Sequence, residues 1–204
     1  MQSHRRLVLL LAGILLAGGV LLLMLRYGVH LPQKNMGDVV VSDATMKNIT
    51  LTDDQGKSVS PNDFLGTYTL IYFGFTHCPD ICPLDVAKIS AVLQTLRTHQ
   101  QDVAAFFITL DPERDTPDVL SAYLQPFSPE IRGLTGSKPA IDTLVKAFHV
   151  AYEKQAKAGD SEITITHSGY VFLMDKQGKN SAIFAHDRTA EEIVQGIKQQ
   201  LLRD

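Results

Sequence analysis

Cys78 and Cys82 are the two cysteines of this chain, four positions apart in GFTHCPDICPLD, residues 74–85. Pro79 and Pro83 follow them, and a carboxylate, Asp80, lies between. Thiols this close can form a disulfide, cycle electrons with a partner, or grip a soft metal ion. Spacing bears on the choice. Thiol–disulfide enzymes of the architecture argued below generally use Cys-x-x-Cys, a tight ring, whereas Cys-x-x-x-Cys opens the bite by one residue. A disulfide stays open to the pair, since it needs a Cα separation of ~4.4–6.8 Å and one helical turn lies near that range. A wider bite suits a large soft ion better.

The elements around the pair follow from the apolar pattern. NITLTDDQGKSV alternates about a polar turn at Asp54, Gln55 and Gly56 and reads as a β-hairpin. TYTLIYFGF, 67–75, is a continuous apolar and aromatic run, the mark of a central buried strand. Beyond Pro83, Ile89, Val92, Leu93 and Leu96 recur at helical spacing to about His99. AAFFITL, 104–110, is a second buried strand, and Thr116 followed by Pro117 opens a helix. Ser137 opens another, with Ile141, Leu144, Val145 and Phe148 on one face. GYVFLMD and SAIFA flank a turn at 175–178, and Thr189 with Glu192 forms a capping box before a last helix. The order is hairpin, β, α, β, α, α, β, β, α. That is an α/β chain of thioredoxin-like pattern, with the cysteines where the first core strand meets the first helix and helices on both faces of a mixed sheet.

This placement favours thiolates, because a helix N-terminus carries unpaired N–H groups and about half a positive charge. A helix starting near Asp80 leaves Cys78 just outside it and Cys82 in its first turn, where Pro83 is tolerated. Thioredoxin-like oxidoreductases place a proline just ahead of the third core strand. Here every proline lies at or before Pro139, and ITITHS precedes GYVFLMD instead. In this architecture His167 projects toward the cysteine loop from the next strand over. Two thiolates and an imidazole make a trigonal set: sulfur selects Cu(I) or Zn, and imidazole also suits copper and nickel. The bland alternatives are a structural disulfide and a polar residue at a strand start. His77 is a rival ligand, though its side chain should point away from that of Cys78. His99, His149 and His186 read as surface residues. Asp80 is a helix cap or an outer partner of the site. Asp111, at the exit of the second strand, shapes the site, faces a partner, or merely begins a turn.

Residues 7–25, LVLLLAGILLAGGVLLLML, hold no charge; Arg5 and Arg6 precede them and Arg26 follows. At ~1.5 Å per residue the run makes about 28 Å of helix, close to the bilayer core. It exceeds a signal-peptide apolar region, and no small-x-small cleavage site follows. The expected organisation is a cytoplasmic N-terminus over 1–6, a transmembrane signal-anchor over 7–25, a tether over 26–44 and one domain over 45–204. The excess of positive charge before the span is narrow but favours that orientation. With no organelle presequence, the simplest location is a bacterial inner membrane with the domain in the periplasm. The net charge is −3, and Lys and Arg are scattered, which excludes a nucleic-acid binder.

Three stretches carry a family resemblance: FGFTHCPDICP, TLDPERDTP at 109–117 and THSGYVFLMDKQGK at 166–179. Together and in this order they closely resemble the Sco/SenC family of membrane-tethered thioredoxin-like proteins, over residues 45–203. The resemblance implies one copper ion per chain, with Cys78, Cys82 and His167 as its ligands. It also implies a part in assembling the binuclear copper centre of cytochrome c oxidase, with that oxidase's copper-bearing subunit as partner and a periplasmic copper donor or thiol reductant upstream. One departure is visible: the family often has an aspartate before the histidine, where this chain has Thr166. Other members resemble thiol reductases for the oxidase's cysteines, or act against oxidants. A periplasmic thiol–disulfide reductase using Cys78 and Cys82 is therefore the alternative function. A peroxidase would want a lone activated cysteine instead of a pair.

Overall fold

Strand β3, Tyr68–Gly74, is buried along its whole length, as its unbroken apolar run predicts, and is an interior strand of the main sheet. The computed structural model describes residues 49–156 and 163–203, with Gly19. The chain divides into two units, 1–37 and 38–204, and the fold below is that of the second. Apart from Gly19, the expected membrane span and tether lie outside the described residues. Among the described residues no helix is long and apolar enough to cross a membrane.

The hairpin β1, Leu51–Asp53, and β2, Ser58–Val59, turns at Gly56, whose φ of 77° favours glycine. After β3 come α1, Ile81–Thr98, β4, Val103–Thr109, α2, Pro117–Leu124, and β5, Ile131–Gly136. Helix α3, Lys138–Ala147, leads to a second hairpin, β6, Tyr152–Ala156, and β7, Ile163–His167. The chain ends with β8, Tyr170–Met174, β9, Asn180–Ala185, and α4, Ala190–Leu201. The main sheet runs β2-β1-β5-β4-β3-β8-β9, with β3, β4 and β5 parallel and their outer neighbours antiparallel. Hairpin β6–β7 forms a separate two-stranded sheet.

Connection handedness explains the layers. From β3 to β4 to β5 the chain steps twice in one direction, so right-handed crossovers put α1 and α2 on one face. The return from β5 to β8 puts α3 on the other. Tyr72, Phe107 and Gly133 are register partners on the first face, where Tyr72 meets Cys82 and Asp85 of α1, and Gly133 lies under Leu120 and Leu124 of α2. Helix α4 joins them, its Gly196 against Phe184. On the opposite face Phe148, at the end of α3, packs on Phe73 and Phe172 at ring separations of 5.3 and 5.2 Å.

The mixed sheet, the N-terminal hairpin and the helices on both faces agree with the expected thioredoxin-like α/β architecture. Three strands were not foreseen. IRGLTG, residues 131–136, forms β5, although its two glycines and an arginine dilute the strand pattern. A Cβ on Gly133 would stand 2.9 Å from Leu120 Cβ and from Leu124 Cδ1, so the residue that weakens the pattern is the one that admits α2. The β6–β7 hairpin was missed as well. ITITH was read as the approach to β8, whereas it is a strand of its own sheet.

Candidate metal centre

The cysteine loop begins where β3 and β4 still hold together: the Leu110 N–H donates to the Gly74 carbonyl at 2.7 Å. The chain turns through Thr76 and His77, and the Cys78 N–H donates to the Phe75 carbonyl at 3.3 Å. Helix α1 starts at Ile81 with Asp80 in the N-cap position. Asp80 is exposed and its side chain accepts no capping bond. The Cys82 N–H, one of the donors a helix start leaves unpaired, instead donates to Cys78 Sγ at 3.4 Å. A sulfur thus occupies the place an N-cap oxygen usually takes. Pro83 falls among those same first positions, where its missing N–H costs nothing.

Cys82 is fully buried and Cys78 half-exposed, and both are free thiols. Burial pushes the Cys82 thiol up to about 12, against an opposing hydrogen bond from the Phe75 backbone. Its Sγ lies 3.3 Å from Nε2 of His167. The other ring nitrogen, Nδ1, lies 3.3 Å from the Ser168 carbonyl. A carbonyl only accepts, so Nδ1 carries the proton and Nε2 turns its lone pair to the sulfur. Burial holds the imidazole pKa below its ordinary value, while Ser168 and Asp85 pull the other way. The ring stands edge-on to Tyr72 and Phe75, at 6.1 Å from each.

His167 therefore reaches the cysteine segment, at Cys82, but from a different element than expected. It is the last residue of β7, paired in register with Tyr152 of β6, outside the main sheet. Among the described residues, no three His, Cys, Asp or Glu side chains already converge at metal-ligand spacing. Two of the three donors are in contact, and Cys78 Sγ is engaged by the Cys82 amide. The donor types are those of a soft-ion site: two sulfurs and a neutral imidazole nitrogen whose far side is anchored to the chain.

The remaining candidates sort themselves by contact. His77 is half-exposed, with Nδ1 3.0 Å from Thr76 Oγ1 and 3.7 Å from Asp115 Oδ1. His99, His149 and His186 are exposed, as expected. Asp111 is buried and pairs with Lys154 of β6 at 2.9 Å and with Arg114. Burial opposes its charge, but these two cations outweigh it and hold its carboxyl below the ordinary value. The carboxylate that reaches the cysteine loop is Asp115, fully buried, which accepts from the Thr76 N–H at 3.1 Å and the Thr76 O–H at 2.6 Å. Sequence reasoning passed over it, although its place four residues after Asp111 in DPERDTP was the available signal. Asp85 was also missed. It is buried on α1, with Oδ1 3.0 Å from Lys88 Nζ and Oδ2 without a partner. The Tyr72 hydroxyl is likewise buried, facing Cys82 and Asp85 without completing a hydrogen bond.

A parallel three-strand core, an antiparallel return and a thiol pair at the first helix start define a thioredoxin-like protein with a histidine set against its cysteines. The SCO1/SenC family profile matches residues 40–202, and the chain belongs to that family. A SCO2-like protein of Rickettsia felis is 34% identical over 203 residues, covering 97% of this chain and 98% of its own. The structure of Bradyrhizobium japonicum ScoI with copper bound superposes with a TM-score of 0.68 at 38% identity, covering 74% of this chain and 96% of that one. BsSco, described with a disulfide switch and as a member of the Sco family of cytochrome c oxidase assembly proteins, superposes with a TM-score of 0.60 at 26% identity, covering 74% and 89%.

Proposed function

We propose that this protein is a copper-binding assembly factor whose cargo is one copper ion per chain, held by Cys78, Cys82 and His167. The ion passes to the copper-bearing subunit of cytochrome c oxidase, whose cysteines this chain can also prepare. The observation that carries the reading is the orientation of His167, with Nε2 unprotonated 3.3 Å from Cys82 Sγ and Nδ1 tied to the Ser168 carbonyl. A neutral imidazole held by its second nitrogen is how proteins prepare histidine for a metal. A three-donor site suits transfer, since a donor from the acceptor can enter before this chain's donors leave. Membership of the family, with copper bound in the Bradyrhizobium relative, supports the same reading. Copper must displace the Cys82 proton, so binding releases protons and strengthens with pH.

The apolar run 7–25 supports placing the protein as a single-pass signal-anchor in a bacterial inner membrane, with its domain in the periplasm. The test is reduced full-length protein in detergent, titrated with copper(I) against a competing chelator. One equivalent bound, and a marked loss of affinity in His167→Ala, is expected. Unchanged affinity in that variant overturns the reading.

A second reading, thiol–disulfide reductase, is favoured by one observation: Cys78 is the half-exposed sulfur and the one that receives a helix-start N–H. It would be the attacking thiol and Cys82 the resolving one. The redox potential and disulfide-exchange rate, with and without His167, separate the two. Fast exchange from a strongly reducing pair indifferent to His167 supports the reductase.

A further inference from the structure

The loop from Leu110 to Thr116 supplies none of the proposed donors, yet it holds both segments that do. Asp115, fully buried, accepts from both the N–H and the O–H of Thr76, two residues before Cys78. Asp111, also buried, accepts from Lys154 Nζ at 2.9 Å. Lys154 is in β6, where it pairs with Ile165, two residues before His167, while Tyr152 pairs with His167 itself. The two carboxylates are fixed to each other. The Asp115 N–H donates to the Asp111 carbonyl at 2.9 Å. Thr109 Oγ1 accepts from the Asp111 N–H at 2.8 Å and donates to Asp115 Oδ2 at 2.6 Å.

We propose that residues 109–115 are a brace for the metal site: Asp115 positions the cysteine loop, and Asp111, through Lys154, positions the hairpin that carries His167. This rests on the copper reading of Cys78, Cys82 and His167. The physical reason lies in burial. A carboxylate removed from water loses heavily if its donors move away, so each aspartate resists displacement of the segment it grips. The need is topological. The cysteines follow β3 of the main sheet, whereas His167 ends a strand of a different sheet, so among the described residues no ladder hydrogen bond joins the two segments directly. The chain meets the main sheet again three residues after His167, at Tyr170 of β8, and the turn at the end of β4 adds a direct tie between the two segments. Both aspartates are positioning residues.

The test uses the full chain in detergent, first without metal. Nitrogen shifts of the His167 ring and amide hydrogen exchange at Thr76 and along β6–β7 are measured for Asp111→Asn, Lys154→Met, Lys154→Arg and Asp115→Asn. Asp111→Asn and Lys154→Met are expected to change the His167 ring signals and speed exchange along the hairpin, with Thr76 still protected. Lys154→Arg should restore them. Asp115→Asn should do the reverse, exposing Thr76 and sparing the ring. Copper(I) affinity should fall about 10–100-fold in each non-conservative variant. If Asp111→Asn and Lys154→Met leave the ring and hairpin signals at wild-type values, or Asp115→Asn leaves Thr76 exchange unchanged, the brace is overturned. Should Asp115→Asn fail to fold, Thr76→Val carries that arm: faster exchange at the Cys78 amide supports the brace and unchanged exchange overturns it. A wild-type chain that binds no copper overturns the copper reading alone, since the metal-free signals decide the brace.

Discussion

Cys82 Sγ and His167 Nε2 stand 3.3 Å apart across 85 residues of chain, a direct contact between the two halves of the proposed copper site. The contact is directional, because the Ser168 carbonyl occupies the other ring nitrogen. Substituting His167→Ala removes a donor and its orientation together. Copper(I) affinity should fall by more than the about 10–100-fold typical of losing an outer partner of a metal ligand. Chelator competition measures it, and native-like circular dichroism confirms that the fold survives.

The two thiols should differ sharply toward alkylating agents. Cys82 is buried, and with its pKa near 12 only about one part in 10⁵ is thiolate at pH 7. Cys78 is half-exposed beside a donated N–H. Brief iodoacetamide treatment of the native, reduced, metal-free protein should mark Cys78 and leave Cys82 unmodified until denaturant is added. Peptide mass spectrometry reads this directly, and labelling of both at equal rates would contradict the burial of Cys82.

Gly133→Ala should destabilise the protein by about 1–3 kcal/mol, the usual cost of overpacking. The added methyl would lie 2.9 Å from Leu120 Cβ, an atom fixed to the α2 backbone, as well as from Leu124 Cδ1. Relief requires helix α2 to shift, and α2 is capped by Thr116, beside the Asp115 that grips the cysteine loop. Denaturant unfolding gives the stability loss. Copper affinity measured on the same variant shows whether the shift reaches the site.

How much of this was legible beforehand depended on whether an element's residues had to face the core on their own account. Tyr68–Gly74 and Val103–Thr109 are buried almost throughout, so their apolar runs announced them. The caps of α2, α3 and α4 were equally plain, since Thr116, Ser137 and Thr189 each accept a backbone N–H in the first turn. Strand β5 was hidden by Gly133, a demand of helix packing that has no local signature. The β6–β7 hairpin was hidden because its residues are largely polar and its partner strand is itself. At the site, the expectation that His167 faces the cysteine loop agrees with its contact on Cys82, because sulfur and imidazole are scarce and chemically pointed. Asp115 was not, because an aspartate in a turn has an ordinary local role, and only the folded chain brings Thr76 to it. Asp80 shows the reverse: it stands at the helix start, but of the two roles open to it, cap or outer partner of the site, the capping bond goes to the sulfur of Cys78.

The Asp111–Lys154 pair should leave a defined trace in stability against pH. Asp111 is held below its ordinary value of 3.8 by Lys154 and Arg114, which outweigh its burial. Lys154 is raised above 10.5, its burial outweighed by hydrogen bonds and charge from Asp111 and then Glu113. A lowered carboxyl contributes stability that is complete above its unfolded pKa and is lost as pH falls through its folded one. A raised amine contributes stability that is complete below its unfolded pKa and is lost as pH rises through its folded one. The pair's contribution is therefore flat between about 4 and about 10.5 and declines outside that window. Asp111→Asn should cost about 1–3 kcal/mol within the window, less than for a wholly buried pair, because Lys154 remains 23% exposed. Below pH 4 Asp111 of the unfolded wild-type chain takes up a proton that the folded chain resists, so the difference between the two proteins should shrink. Urea unfolding of both from pH 3 to pH 7 measures it. A difference that stays constant down to pH 3 would mean that Asp111 holds the β6–β7 hairpin by shape and not by charge.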